Sequence, residues 1–186
     1  MSNQVDKWDR RYQKSAHNLS KPREFLLTVQ DLLPKEGWGL DIAMGMGHNA
    51  AVLSSHGLNV IGVDFSKVAL KSVKSEYPQI HAILVDLPAI HLKKESVDVI
   101  LNFWFLDRRL YPFYRHVLKP GGLLIFETMR VDGNELQTDV NPAYLLQPGE
   151  LLQAFADWDF LIYDENVPAT AQHKARTAVR LAARKP

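Results

Sequence analysis

The stretch that decides the fold is GLDIAMGMGHNA, residues 39–50. It begins like a buried strand, continues through a turn that holds Gly45 and Gly47, and ends in a helical segment. Glycines in such a turn let the backbone approach a ligand, because no Cβ stands in the way. A second strand pattern, NVIGVDF at residues 59–65, places Asp64 at its end, where a carboxylate can accept both hydroxyls of a ribose. Together the two segments predict a nucleoside-binding site.

The charge of Asp41 indicates which nucleoside is bound. Gly45-x-Gly47-x-x-Ala50 fits the dinucleotide fingerprint, and Asp64 lies about where that fingerprint has its acid. Asp41, however, ends the first strand just before the turn, where a carboxylate would repel a pyrophosphate. S-adenosylmethionine has no phosphate, and its ammonium and sulfonium groups are cationic. The sequence therefore favours S-adenosylmethionine as cofactor, with an NAD(P)-dependent oxidoreductase and a non-catalytic S-adenosylmethionine-binding protein as the alternatives.

Composition is that of an ordinary soluble enzyme. The chain has 186 residues, 46% of them apolar and 23% charged, which predicts one domain over residues 1–186. A net charge of +1 gives no general attraction to nucleic acid or to a membrane surface. Without cysteine there is no thiolate nucleophile and no cysteine-based metal site, so we expect no bound metal. Because no apolar run approaches a membrane span, we expect a cytoplasmic protein without a membrane partner.

Strand and helix patterns alternate along the chain. Apolar runs such as residues 97–101 and 123–126 are typical of strands covered on both faces. Alternation of this kind predicts right-handed βαβ units in a doubly wound α/β sheet. The predicted strands are Gly39–Met44, Asn59–Asp64, His81–Val85, Val97–Phe103, Gly122–Thr128, Phe160–Glu165 and Thr177–Ala183, and the predicted helices are Phe25–Leu33, His48–Ser55, Val68–Tyr77, Leu110–Leu118 and Gly149–Phe155.

Residues 41–47, DIAMGMG, resemble the first motif of the Rossmann-like S-adenosylmethionine-dependent methyltransferases, (D/E)-x-G-x-G-x-G. Ala43 stands where that motif has its first glycine, and we expect it to avoid a strongly positive φ, which alanine adopts only at a cost. Further matches follow at residues 64–65, 86–87, 102–105 and 118–125, so the resemblance covers roughly the whole chain. It implies a mostly parallel seven-stranded sheet of order 3-2-1-4-5-7-6, with the last strand antiparallel and helices on both faces.

The same resemblance assigns roles around the cofactor. Asp64 would hold the ribose, Phe65 would stack on the adenine, and Asp86 would accept its exocyclic amine while the Leu87 amide reaches a ring nitrogen. Asn102 ends the fourth strand at the same edge and would help to hold the methionine part. The complete predicted cofactor set is Trp8, Tyr12, Asp41, Ala43, Gly45, Gly47, His48, Asn49, Asp64, Phe65, Asp86, Leu87, Asn102 and Phe103.

Two segments outside the alternation are predicted to cover the site. Trp8 and Tyr12 are four residues apart and share a helix face, and related small-molecule methyltransferases fold such a helix over the cofactor, which makes residues 1–24 a predicted lid. Lys7 and Arg11 could neutralise the methionine carboxylate, whereas His48 stands where related sequences often carry arginine. Residues 129–148 are long for a simple connection and are predicted to cover the acceptor site.

An aromatic wall indicates the type of acceptor. After the fourth strand the chain reads NFWFLDRR, residues 102–109, and lacks the N-P-P-Y run by which enzymes that methylate nucleic-acid amines hold a planar amine. We therefore expect a small-molecule acceptor, methylated at sulfur, oxygen, nitrogen or a chalcogen oxyanion, as in the tellurite-resistance and thiopurine branch that the chain resembles. Nucleic acid is not expected as a partner. The weak catalytic candidates are Arg109, His17 and Tyr144.

Overall fold

The computed structural model describes residues 2–14, 21–131, 141–168 and 177–186. These residues form one sheet of seven strands in the order β3-β2-β1-β4-β5-β7-β6. The strands are β1 Trp38–Ile42, β2 Asn59–Asp64, β3 His81–Leu84, β4 Val97–Phe103, β5 Leu118–Met129, β6 Asp159–Pro168 and β7 Thr177–Arg184. Strands β1 to β5 pair in parallel, and β7 runs antiparallel to both β5 and β6. The predicted order and strand directions are confirmed.

Helices cover both faces of the sheet. They are α1 Ser2–Lys14, α2 Glu24–Thr28, α3 His48–Ser55, α4 Lys67–Glu76, α5 Tyr111–Val117 and α6 Glu150–Ala154. The helix predicted over Phe25–Leu33 is shorter than expected, because α2 ends at Thr28 and a single 3-10 turn follows over Gln30–Leu32. Strand β5 begins at Leu118 rather than at Gly122 and continues to Met129. In the described ranges no helix is long and apolar enough to cross a membrane.

Two apolar cores follow from the alternation of strand side chains. One face of the sheet packs on α5 and α6, with Ile42, Ile100 and Leu124 fully buried. The other face packs on α2, α3 and α4, and there Leu101 and Ile125 are fully buried. Helices cover both faces of the sheet, so the carboxyl ends of the parallel strands remain accessible. Sheets of this type bind their ligands at these strand ends, which we call the ligand-binding edge.

Candidate functional site: the carboxyl edge of strands β1, β2 and β4

The turn after β1 is built on left-handed backbone. Gly45 and Gly47 have φ of +55° and +78°, and Gly47 is the residue that precedes α3. Ala43 also has a positive φ, +52°. The expectation that Ala43 avoids such a conformation is therefore wrong: the path from β1 into the turn requires it, at a cost of about 1–2 kcal/mol for a residue with a Cβ.

Asp64 joins the end of β2 to the glycine turn. Its side chain is buried, its Oδ2 accepts a hydrogen bond from the Gly45 amide at 2.9 Å, and its Oδ1 accepts one from the Ser66 amide at 2.8 Å. Burial raises the pKa of Asp64, and these amides oppose that rise. A carboxylate has about four acceptor positions, so two amide bonds leave room for ribose hydroxyls. Asp64 supports the turn even before any ligand is considered.

Asp41 carries the clearest unsatisfied group of the site. The side chain is 1% exposed and accepts the Ala50 amide of α3, and within the described ranges its Oδ2 has no hydrogen-bond partner. Burial, with the nearby Asp64 charge, raises the pKa of Asp41 to about 8. An orphaned, buried carboxyl oxygen next to a second carboxylate disfavours an anionic pyrophosphate and favours a cation. The open acceptor position of Asp41 therefore suits a cationic ligand, whose binding would favour the ionised carboxylate.

Helix α1 lies against this turn and against α4. The rings of Trp8 and Tyr12 are 5.6 Å apart, as their shared helix face predicts. Asp9, between them, accepts a hydrogen bond from the Ser66 hydroxyl, which itself caps α4. Burial, followed by the charge of Asp64, raises the pKa of Tyr12. The predicted lid helix is therefore docked on the cofactor turn, while residues 15–20 of the predicted lid, His17 included, lie outside the described residues.

The predicted adenine-binding residues lie at the ends of β2 and β3. Phe65 is half-buried directly after β2, and Asp86 is exposed two residues after the end of β3. Leu87 is 2% exposed and begins a 3-10 turn, so its side chain belongs to the core. This arrangement leaves the Asp86 carboxylate facing solvent at the ligand-binding edge, and its role toward adenine stays a prediction.

The end of β4 holds a buried polar turn. Asn102 is fully buried, donates from Nδ2 to the Phe105 carbonyl at 2.8 Å, and accepts the Tyr114 hydroxyl at 2.9 Å. Phe103 is 7% exposed and packs in the core beside α2 and α3. The Asn102 side chain thus fixes the turn, and a contact with the methionine part stays a prediction for its second N–H.

Trp104 is the strained residue of that turn. Its φ is +56°, and its buried indole Nε1 has no hydrogen-bond partner within the described part of the chain. The Trp104 amide donates to the Glu127 carbonyl at 2.8 Å, which holds this conformation in place. A non-glycine residue in left-handed backbone costs about 1–3 kcal/mol and is typical of ligand-binding positions.

His48 and Asn49 begin α3, and their side chains contact protein groups outside the glycine turn. His48 Nδ1 is 3.0 Å from the Tyr77 hydroxyl, and burial lowers the pKa of the imidazole. Asn49 Oδ1 accepts the backbone amide of Arg23 at 2.8 Å. His48 therefore supplies no fixed positive charge to the turn, and Asn49 anchors the chain segment before α2. Direct cofactor contacts from either side chain remain predictions.

Of the catalytic candidates, two lie in the described residues. Arg109 is exposed and its guanidinium is paired with Asp107 at 2.6 Å, which raises the pKa of Arg109. It cannot act as a proton donor near neutral pH. Tyr144 is 47% exposed in a turn over Pro142–Tyr144. The 132–140 part of the predicted acceptor cover lies outside the described residues.

Arg108 positions the segment that carries Tyr144. Its guanidinium pairs with Glu150 at 2.7 Å and donates to the carbonyls of Ala143 and Leu145 at 3.0 and 2.9 Å. These contacts hold residues 143–145 beside the turn that precedes α5. A role for Tyr144 at the acceptor stays a prediction.

Sequence reasoning missed Arg23 and Asp9. Arg23 lies half-buried with its guanidinium carbon 5.0 Å from the centre of the Trp104 ring. Asp9 is in the predicted lid, but its bond to Ser66 joins residues 57 positions apart. No local pattern marks either contact, because each depends on tertiary packing.

Comparison with known proteins decides the family. Residues 40–126 match the methyltransferase domain family. Residues 40–126 thus form a methyltransferase domain, in a chain whose sheet has the Rossmann-like order of S-adenosylmethionine-dependent methyltransferases. A probable S-adenosylmethionine-dependent methyltransferase of Mycobacterium tuberculosis is 29% identical over 126 residues, which cover 65% of this chain and 42% of that protein.

The probable S-adenosyl-L-methionine-dependent methyltransferase TehB of Haemophilus influenzae is 27% identical over 140 residues, covering 69% of this chain and 48% of TehB. The chain thus spans less than half the length of these curated relatives. The crystal structure of TehB superposes with a TM-score of 0.71 at 20% identity, covering 98% of this chain and 67% of the TehB chain.

The fold extends to enzymes of other named substrates. Geranyl diphosphate C-methyltransferase of Streptomyces coelicolor, solved with S-adenosyl-L-homocysteine, superposes with a TM-score of 0.69 at 14% identity, covering 86% of this chain and 79% of that one. At this identity the likeness concerns the fold alone.

The residues present fit S-adenosylmethionine. Gly45 and Gly47 allow a close approach to the turn, where a Cβ would come within 2.9 Å of Tyr12 and Val73 respectively. Among the described residues, nothing binds Oδ2 of Asp41, which leaves one carboxyl oxygen for a ligand. Asp64 retains acceptor positions at the end of β2. These groups match a cationic nucleoside, so S-adenosylmethionine is the cofactor of this domain.

Proposed function

We propose that this protein transfers a methyl group from S-adenosylmethionine to a small-molecule acceptor. The observation that carries the proposal is the turn after β4, where strained Trp104 and half-buried Phe105 stand at the ligand-binding edge in place of a planar-amine motif. Aromatic side chains there offer faces for a soft or apolar acceptor. The acceptor atom is sulfur, oxygen, nitrogen or a chalcogen oxyanion, by the resemblance to the tellurite-resistance and thiopurine branch.

Methyl transfer from a sulfonium requires the protein mainly to bind and orient the two reactants. Bound S-adenosylmethionine supplies an electrophilic methyl group on a sulfonium. Asp64 and the glycine turn would fix the nucleoside, Asp41 would stabilise cationic charge, and α1 would exclude water. Positioning of the acceptor and exclusion of water can account for most of the acceleration. The paired, fully charged Arg109 fits electrostatic support rather than proton transfer.

Turnover tests the proposal directly. Formation of S-adenosylhomocysteine would be measured over a panel of thiols, phenols, amines and selenite or tellurite, with oligonucleotides and tRNA as comparison acceptors. We expect turnover with at least one small acceptor and far less with nucleic acid, because the near-neutral chain offers no general phosphate-binding charge. Nucleic-acid methylation at rates that match the best small acceptor would refute the proposal.

The two alternatives have separate tests. Calorimetric titration distinguishes S-adenosylmethionine from NAD, and measurable binding of NAD with none of the sulfur nucleosides would support the oxidoreductase. Tight binding of S-adenosylmethionine without turnover on any acceptor would support a non-catalytic binding protein.

A further inference from the structure

Three acids surround the glycine turn, whereas the methionine end of the cofactor carries a carboxylate as well as cationic groups. Asp9, Asp41 and Asp64 all lie near the turn, and they suit the ammonium and sulfonium groups. The methionine also has a carboxylate, which needs a cation or several donors. A positive group that lies apart from these three acids would meet that need.

Most cations of this region are unsuited to that task. His48 is bonded to Tyr77, and burial holds its pKa low. Lys7, Arg10 and Lys14 are exposed on α1. Arg11 is exposed as well and lies over the Trp8 ring, 4.9 Å from its centre.

Arg23 is different because the fold has placed it at the site. Its backbone amide is bound by Asn49 at 2.8 Å, so it stands beside the first turn of α3, directly after the glycine turn. Its guanidinium lies over Trp104, the residue that follows β4. Strand β4 is the neighbour of β1 in the sheet, with Asn102 opposite Ile42. Arg23 therefore spans the two strand ends between which the methionine part is expected.

The Arg23 guanidinium has donors to spare. Glu127 is the carboxylate whose charge raises the pKa of Arg23, but Glu127 is already paired with Arg180 at 2.6 Å. Among the described residues, no carboxylate oxygen lies within 4.0 Å of the Arg23 guanidinium. Burial is the largest cause that lowers the pKa of Arg23, and the charge of Arg11 lowers it further. The Trp104 ring lies beneath the Arg23 guanidinium, and among the described residues its indole N–H also has no hydrogen-bond partner.

We propose that Arg23, with the indole N–H of Trp104, forms the subsite that binds the methionine carboxylate of the cofactor. The planar guanidinium fork matches a carboxylate with two parallel hydrogen bonds, and stacking on the indole fixes its plane. Asn49 acts as a positioning residue in this subsite, since its Oδ1 holds the Arg23 backbone amide. Arg23 lies outside residues 40–126, the part of the chain that matches the methyltransferase domain family.

The test compares two ligands that differ in the carboxylate alone. Affinities for S-adenosylmethionine and for decarboxylated S-adenosylmethionine would be measured by calorimetry on the wild type, Arg23→Gln, Arg23→Lys and Trp104→Phe. For Arg23→Gln we expect affinity for S-adenosylmethionine to fall about 10- to 100-fold, the range for loss of hydrogen bonds between charged groups. Affinity for the decarboxylated ligand should stay within about 2-fold, which also shows that the variant is folded.

The remaining variants separate charge from geometry. Arg23→Lys should recover only part of the affinity, because an ammonium lacks the fork and the stacking. Trp104→Phe keeps a ring under Arg23 but removes the N–H, so a smaller loss confined to S-adenosylmethionine is expected. Arg10→Gln removes an exposed arginine of α1 and should change neither affinity.

Three results would contradict the proposal. An unchanged affinity of Arg23→Gln for S-adenosylmethionine would exclude the cofactor carboxylate and direct Arg23 to an anionic acceptor instead. Equal losses for both ligands would make Arg23 a purely structural residue. If Trp104→Phe bound both ligands like the wild type, the indole N–H would have no part in the subsite.

Discussion

The hydroxyl of Tyr12 lies directly over Gly45, so that a Cβ built on Gly45 would come within 2.9 Å of Tyr12 Oη. The space that the glycine leaves for a ligand is therefore filled by a side chain of α1. Asp9, three residues earlier, is bound to Ser66 at the start of α4. We expect a cofactor that approaches the glycine turn to displace this ring, and α1 is the element that would move with it.

The first prediction concerns the docking of α1. Asp9→Ala removes the acceptor of the Ser66 hydroxyl, so the amides of α1 should exchange hydrogen faster in the free protein. S-adenosylhomocysteine should change the exchange of α1 in the wild type, because the ring of Tyr12 must give way to the ligand. Hydrogen exchange followed by mass spectrometry measures both effects.

Asp6→Ala is the matched control, since Asp6 is an exposed acid on the same helix. Deletion of residues 1–14 should leave the sheet folded while it lowers affinity and turnover together. Identical exchange of α1 with and without ligand would contradict its role as a lid.

The second prediction concerns Asp64. Asp64→Ala should weaken S-adenosylhomocysteine binding by about 1.5–3 kcal/mol through lost hydrogen bonds to a charged acceptor. It should also lower the free energy of unfolding, because the buried amides of Gly45 and Ser66 lose their acceptor. Calorimetry and urea unfolding measure the two quantities separately.

Asp98→Ala provides the comparison for Asp64→Ala. Asp98 is in β4 and accepts the Trp38 amide at the start of β1, at the end of the sheet remote from the ligand-binding edge. We expect this change to lower stability and leave the affinity alone. Unaltered affinity in folded Asp64→Ala would place the ribose elsewhere.

The third prediction is a pH dependence due to Asp41. Its pKa is raised from 3.8 to about 8 in the fold, so the folded state holds a proton that the unfolded state has already lost between those values. This contribution to stability is complete below about pH 4 and is lost progressively as pH rises toward about 8. Asp41→Asn should remove it and flatten the profile of unfolding free energy against pH.

Cofactor affinity should rise with pH, whereas the contribution of Asp41 to the free energy of unfolding falls. A cationic ligand favours ionised Asp41, so binding releases a proton, and the affinity of the wild type relative to Asp41→Asn should rise from pH 6 toward about 8. Calorimetry in buffers of different ionisation enthalpy counts the released protons. Parallel affinity profiles for the two proteins would contradict a contact between Asp41 and a cation.

The fourth prediction concerns the strained Ala43. Ala43→Gly relieves a positive φ at a cost of greater freedom in the unfolded chain, and we expect a net gain of about 0.5–1 kcal/mol in unfolding free energy. Ala51→Gly, inside α3, should instead lose about 1 kcal/mol. Urea unfolding of both variants decides the matter, and a destabilised Ala43→Gly would show that the alanine methyl group contributes more than its backbone strain costs.

Particular strands and helices show how much of the fold could be predicted from the sequence. The continuous apolar runs of β4 and β5 and the acids near the ends of β1 and β2 depend on local composition, so the doubly wound sheet was predictable from them. The strand order came from the resemblance to the methyltransferase family. The residues at which helices and strands begin and end were harder to predict. The 3-10 turn after Thr28 and the early start of β5 are set by packing that no short window of sequence contains.

The sequence by itself determined the resemblance to methyltransferases, the acid at residue 41 that disfavours a pyrophosphate and the position of the glycine turn, because each rests on residue type at fixed spacing. Only the tertiary structure decided which groups meet there. Tyr12 over Gly45, Asp9 on Ser66 and Arg23 over Trp104 join parts of the chain far apart in sequence. Such contacts arise when helices dock on a common sheet, and the left-handed backbone of Ala43 and Trp104 follows from the same constraint, since the turns must fit between strands already fixed by their pairing.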